Sequence, residues 1–132
     1  MATSPTQLSL KLLREQGFMC EITEHWNKWS KTRHDLFGFI DILAVREDVI
    51  IGVQTTTADH VSHRINKIVN ERAVELERLR GHFVLQVHGW RKKGNRWQPR
   101  IIILNTSVDM GENLIYPSGK YIRYINEGLS NE

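Results

Sequence analysis

The sequence predicts a single α/β domain, and three observations carry that prediction. Two β-branched, aromatic-rich runs, "LFGFIDILAV" (36–45) and "DVIIGVQTT" (48–56), are joined by a short charged turn, the pattern of a hairpin. From Thr57 the period lengthens. Val61, Ile65, Ile68, Val69, Leu76 and Leu79 recur at helical spacing and predict one long amphipathic helix ending at Gly81. Two further β-like runs follow, "HFVLQVHGW" (82–90) and "RWQPRIIIL" (96–104). Strands on both sides of a crossover helix imply a mixed sheet with helices packed on it.

The remaining elements fit around this frame. Ser4-Pro5-Thr6-Gln7 is a helix start: Ser4 can cap, Pro5 suits the first turn and Gln7 completes a capping box. Leu8, Leu12 and Leu13 then share a face, and Gly17 supplies the stop. "FMCEITEHW" (18–26) reads as one strand and the polar "NKWSKTRH" (27–34) as a loop. After Asn105 the patterns weaken, although "YIRYI" (121–125) suits a short strand or helix. The expected order is α-β-β-β-α-β-β in one domain over 1–132, with a core at about 4–104 and a C-terminal extension at 105–132.

Composition narrows the class. At 132 residues, 40% apolar and 25% charged, the chain has the make-up of an ordinary globular domain. No stretch approaches the roughly 18 consecutive apolar residues of a membrane span. The opening "MATSPTQLSLKLL" lacks a basic region followed by a long apolar run, so no secretory signal is expected. A single cysteine, Cys20, excludes an internal disulfide and a Cys-based zinc cage. These points suggest a cytoplasmic, intracellular protein with no membrane partner.

One acid stands out. Asp41 lies inside an otherwise apolar run, and the neighbouring run ends in Gln54 and three threonines. If Glu47 and Asp48 form a two-residue turn, Arg46 pairs with Val49 and Asp41 falls directly opposite Gln54. Opposite residues of an antiparallel pair share a face, their Cβ atoms about 4.5–5.5 Å apart. Gly52 and Thr56 lie on that face as well. Asp41 is an ionised oxygen ligand of the kind Mg²⁺ prefers, with the Gln54 amide oxygen and the Thr55 carbonyl as neutral donors. Spacing alone supports equally a structural pair, in which Gln54 satisfies a buried Asp41.

With that element order, and with Asp41 in "GFIDILAV" followed by "IIGVQTTT", residues 4–104 resemble the PD-(D/E)XK nuclease superfamily, the fold of Holliday-junction resolvases and many restriction enzymes. More narrowly, "RHDLFGFIDIL…VQTTT…HRINKI…HGWRKKGNRW" is similar to small phage and bacterial resolvase-like proteins. The resemblance implies a restriction-endonuclease-like core. It also implies Mg²⁺ or Mn²⁺ held by an Asp and a Glu, and a Lys two residues past the Glu that orients the attacking water. Asp41 matches the Asp. In the second motif Gln54 stands where Glu is expected and Thr56 where Lys is expected; the alternative alignment, Gly52-Val53-Gln54, lacks the acid altogether. The resemblance thus assigns Asp41, Gln54 and Thr56 to the catalytic site, with Asp41 and Gln54 on the metal. A second acid would come from Glu24, Asp35 or Glu15, or a neutral donor from Gln7, and the sequence does not choose.

Two basic features complete the reading. His60, Arg64, Lys67 and Glu71 form one polar stripe on the long helix. The resemblance places that helix beside the active site, with Arg64 and Lys67 on DNA phosphates and His60 or His63 assisting proton transfer. In "HGWRKKGNRW", Arg91, Lys92, Lys93 and Arg96 sit on a turn between Trp90 and Trp97. Cations there reach phosphates, and the indoles offer stacking faces. Both features equally suit solvated, purely structural surfaces. Trp26 and Trp29 have no assigned role.

The expectation is therefore a metal-dependent DNA endonuclease, acting on branched or phage DNA in a bacterial or phage-infected cell. A domain this small that acts on two strands suggests a homodimer. The alternative is a nuclease fold that has lost its chemistry and now binds DNA or a protein. The changed residues at positions 54 and 56 are its support.

Overall fold

A computed structural model describes residues 3–47, 49–79 and 81–104, together with the backbone of a short strand at 121–123. The chain folds as α1 (Pro5–Glu15), β1 (Met19–Ile22), β2 (His25–Asn27), β3 (Thr32–His34), β4 (Ile42–Arg46) and β5 (Val49–Thr57). A 3-10 turn (Ala58–His60), α2 (Val61–Glu71), α3 (Ala73–Leu79), β6 (Val84–Lys93), β7 (Arg96–Ile103) and β8 (Tyr121–Arg123) follow. The main sheet has the order β1-β4-β5-β6-β7, with β8 added at the edge, and β2 and β3 pair separately. β5 runs parallel to β6, and β8 parallel to β7; the other pairs are antiparallel. The chain is thus an α/β domain with a mixed central sheet, as the sequence predicts.

Each sheet face carries its own core. Ser4 Oγ accepts the Gln7 N–H at 3.1 Å and caps α1. The helix buries Leu10, Leu12 and Leu13 against Ile42, Ile51 and Ile101. On the opposite face Val61, Ile65, Ile68 and Leu76 meet Ile40, Leu85, Val87 and Ile102. Gly89 makes that second packing possible. A Cβ there would lie 2.2 Å from Val61 Cγ2 and 3.0 Å from Ala58 Cα, so only hydrogen lets the start of α2 rest on β6.

Three expectations need correction. The run 18–26 is not one strand. It leaves the main sheet after Ile22 and begins a second hairpin at His25. Residues 27–34 are not a loop, because Thr32–His34 form the return strand of that hairpin. The long helix bends at Arg72 into α2 and α3. Arg72 caps α2 with a backbone outside the helical region (φ −125°, ψ 33°), and the apolar stripe Ile65, Ile68, Leu76 resumes in α3. The predicted extension at 105–120 and 124–132 lies outside the described residues. Within "YIRYI", residues 121–123 form a strand.

A buried polar seam ties α1 to β6, and the sequence reading missed it. His88 is fully buried between Ser9 Oγ, 2.8 Å from its Nδ1, and Gln86 Oε1, 2.7 Å from its Nε2. Trp90 donates its Nε1–H to the same Ser9 hydroxyl at 2.8 Å. Burial pushes the His88 imidazole down to about 3, so the ring is neutral. A neutral ring facing Gln86 Oε1 carries its proton on Nε2 and accepts the Ser9 hydroxyl proton on Nδ1. The available signal was the same as for Asp41: polar residues, Gln86 and His88, alternating inside an apolar strand.

Candidate active site

The expected hairpin register is present. Arg46 pairs with Val49 and Ile42 with Val53, so Asp41, just before β4, sits opposite Gln54. Asp41 is buried, and its backbone N–H donates to the Val53 carbonyl at 2.7 Å. Three donors converge on one carboxylate oxygen, Oδ2. They are Gln54 Nε2 at 2.8 Å, the Thr55 N–H at 2.8 Å and the Thr55 hydroxyl at 3.2 Å. The hydroxyl beside Asp41 is therefore that of Thr55, braced in turn by Thr6 Oγ1 of α1 at 2.9 Å. Thr56 is buried one residue further on, on the face of β5 that Gln54 occupies, and it is not among the donors to Asp41 Oδ2.

The structure brings two of the candidate acids to Asp41. Carboxylate oxygens of Glu24, Asp35 and Asp41 all lie within 4.8 Å of one another. Among the described residues Glu15 and Gln7 lie apart from this group, lining a surface hollow of α1 with Lys11 and Arg14. The grouping depends on the β2–β3 hairpin. Glu24 precedes its first strand, Asp35 follows its second, and the Thr23 N–H donates to the Asp41 carbonyl at 2.8 Å. The short turn from Asp35 back to Asp41 is made by Gly38, whose φ of 87° a side chain would strain, and whose N–H donates to the Asp35 carbonyl at 2.9 Å.

The electrostatics follow from that crowding. Burial pushes Asp41 up to about 7, against the Thr55 N–H, which favours the charged form; Asp35 and Glu24 raise it further. Arg33 makes an ion pair with Glu24. Three carboxylates in one small space repel, and either a shared proton or a cation relieves the repulsion. A set of hard oxygen donors, one buried and two half-buried, fits a divalent cation such as Mg²⁺ or Mn²⁺.

Cations stand close by. A pocket of about 160 Å³ is lined by Asp35, Gln54, Arg64, Lys67, Glu71 and Arg72, among others. Arg64 and Lys67 of the predicted stripe therefore reach the same site as Gln54, while His60 is exposed at the 3-10 turn and bonded to Thr57. The Arg64 Nε is buried with no acceptor among the described residues, which leaves a donor ready for an anion.

The basic segment lies at the same end of the sheet. Thr57, the last residue of β5, is level with Trp90, and β6 continues to Lys93 before turning at Gly94 into Arg96. Arg91, Lys92, Lys93 and Arg96 are all exposed. Lys93 is six residues beyond Val87, the neighbour of Gln54, or about 20 Å along the strand. By strand alternation Arg91, Lys93 and Arg96 share the face of Gln54. Lys92 lies on the other face, over the Trp97 ring at 5.8 Å. The two tryptophans part company here: Trp97 is exposed, while Trp90 is buried against α1 and offers no face to a ligand.

Among the described residues no helix is long and apolar enough to cross a membrane. In comparisons with known proteins, the chain matches no family model, no curated protein and no solved structure.

Proposed function

We propose that the protein is a metal-dependent DNA endonuclease of the PD-(D/E)XK type, in which Glu24, Asp35 and Asp41 hold Mg²⁺ or Mn²⁺. One observation carries this reading: three carboxylates meet beside a pocket lined by Arg64 and Lys67, at the sheet end from which the basic hairpin extends. A divalent cation bound there would polarise a phosphodiester and lower the pKa of its water. Gln54 and Thr55 fix the Asp41 carboxylate in position through Oδ2. Arg64 and Lys67 take the electrostatic role that Thr56 cannot, by pairing with phosphate oxygens. Arg91, Lys92, Lys93 and Arg96 hold the DNA backbone further along.

The experiment is cleavage of supercoiled plasmid and of four-way junction DNA with and without Mg²⁺ or Mn²⁺. Nicking that needs the cation, and that Asp41→Ala abolishes while DNA binding survives, supports the proposal. Cleavage that persists in Asp41→Ala contradicts it.

A second reading has its own observation. Gln54 and Thr55 already supply three hydrogen bonds to Asp41, and an Asp that titrates near 7 can remain protonated without a cation. That arrangement suits a nuclease-like fold that binds DNA or a protein without cutting. Metal-independent DNA binding with no cleavage on any substrate selects it.

A further inference from the structure

We propose that the β2–β3 hairpin is a stacking arm that holds unpaired DNA bases beside the acid cluster. The inference rests on the nuclease reading of that cluster, and its evidence is the hairpin itself. Trp29 is 89% exposed and Trp26 59%, the most exposed indoles among the described residues. Two indoles left in water three residues apart on one short hairpin expose flat aromatic faces that a partner can cover.

The arm is built, not loose. Asn27 Oδ1 accepts the N–H groups of Trp29 at 2.9 Å and Ser30 at 3.1 Å, closing the loop that presents Trp29. Lys31 adopts the left-handed conformation that completes the turn, with φ 55°. At the base the His25 and His34 rings stack at 5.8 Å, and Arg33, opposite Trp26 in the register, is paired with Glu24. Holding the loop in advance lowers the entropy lost when a ligand stacks on it.

The chemistry of the arm selects the partner. Residues 25–34 contain Lys28, Lys31, Arg33, two histidines and two tryptophans, and no acid. Along this segment Trp26, Lys28, Trp29 and Lys31 alternate indole with ammonium, as a strand alternates base with phosphate, and stacking on indole needs a base that is out of the duplex. The location agrees. The arm is rooted at Glu24 and Asp35, so Trp26, two residues along the strand, lies close to the carboxylates, while Trp29 in the loop stands up to about 16 Å further out and would take a neighbouring base. A second cationic hairpin extends from the same sheet end and carries Arg91, Lys93 and Arg96 on the face of Gln54, a further set of charges for the phosphates of the same strand.

The test uses the full chain in chelator, where no metal-dependent cleavage occurs, so it is blind to catalysis. Tryptophan emission is titrated with a single-stranded oligonucleotide of roughly 12 nucleotides, its duplex and an abasic strand of the same length. The proposal predicts quenching by the single strand and weaker binding of the duplex and the abasic strand. Trp26→Ala/Trp29→Ala is expected to weaken single-strand binding on the order of 100-fold. Both residues are exposed, and an unchanged circular dichroism spectrum and melting midpoint establish that the variant is folded. Equal affinity for duplex and single strand, or unaltered affinity in the double variant, overturns the proposal. So does Trp-dependent binding to anionic phosphatidylserine vesicles with none to the oligonucleotide. Failure of the nuclease reading appears separately, as absent cleavage in the metal-containing assay.

Discussion

Glu24 and Asp35 stand at the two ends of one small hairpin, and closing that hairpin brings both carboxylates to Asp41 on the main sheet. The site is thus assembled by a local element that lies outside the main sheet. A cation bound by the three acids, as proposed, would couple to the folding of the hairpin for that reason.

A cation held by these three acids binds the folded state only. At pH 8, Mg²⁺ or Mn²⁺ at about 100 times its dissociation constant is expected to stabilise the protein by about 2.7 kcal/mol, read as an upward shift of the melting midpoint. Asp41→Asn and Asp35→Asn are expected to lose most of that shift. A shift of the same size in both variants would place the cation elsewhere.

Without metal, pH acts through two buried groups of opposite sign. Asp41 titrates near 7 when folded against an ordinary value of 3.8, so the folded state keeps a proton that the unfolded state releases. Its contribution is present below about pH 4 and is lost as pH rises through 7. His88 is lowered from 6.5 to about 3, so its contribution is present above pH 6.5 and is lost as pH falls toward 3. Between about pH 4 and 6.5 the two slopes oppose, and stability measured by urea unfolding is expected to be nearly level, then to fall from pH 6.5 to 8. Asp41→Asn removes one slope and exposes the other, a loss below pH 6.5 approaching about 1.4 kcal/mol per pH unit.

The Ser9 seam makes a stability prediction with no catalytic component. Ser9→Ala leaves the buried Trp90 N–H and His88 Nδ1 without their shared partner. A loss of about 1–3 kcal/mol in urea unfolding is expected. Metal-dependent cleavage by the folded fraction should be unchanged.

Charge reversal at Lys92 and Lys93 tests the other hairpin. Both side chains are exposed, so the melting midpoint should stay put while DNA affinity falls and its dependence on salt becomes shallower. Unaltered affinity at low ionic strength would remove that hairpin from the DNA-binding surface.

Much of this was readable before folding, for physical reasons. The position of Asp41 opposite Gln54 follows from strand alternation and a two-residue turn, both local properties. Arg64 and Lys67 share a helix face because their spacing requires it. The choice of Glu24 and Asp35 over Glu15 was not readable, since it depends on a hairpin whose strands, "HWN" and "TRH", are too short and polar to show a β period. Thr55 was expected to offer its carbonyl, not its N–H and hydroxyl, because alternation put Thr56 on the Asp41 face, whereas Asp41, at the end of its strand, accepts bonds from the neighbouring residue. The assignment of Trp90 to stacking failed because sequence shows an indole flanking cations but not the Ser9 that draws it into the core.

The most direct test of the central claim is a crystal structure of the protein soaked in Mn²⁺ and measured at the manganese edge. The account predicts an anomalous peak bonded to carboxylate oxygens of Glu24, Asp35 and Asp41, with Gln54 and Thr55 still bracing Asp41. A cluster that remains metal-free at saturating Mn²⁺, its carboxylates joined only to one another and to protein donors, would contradict it.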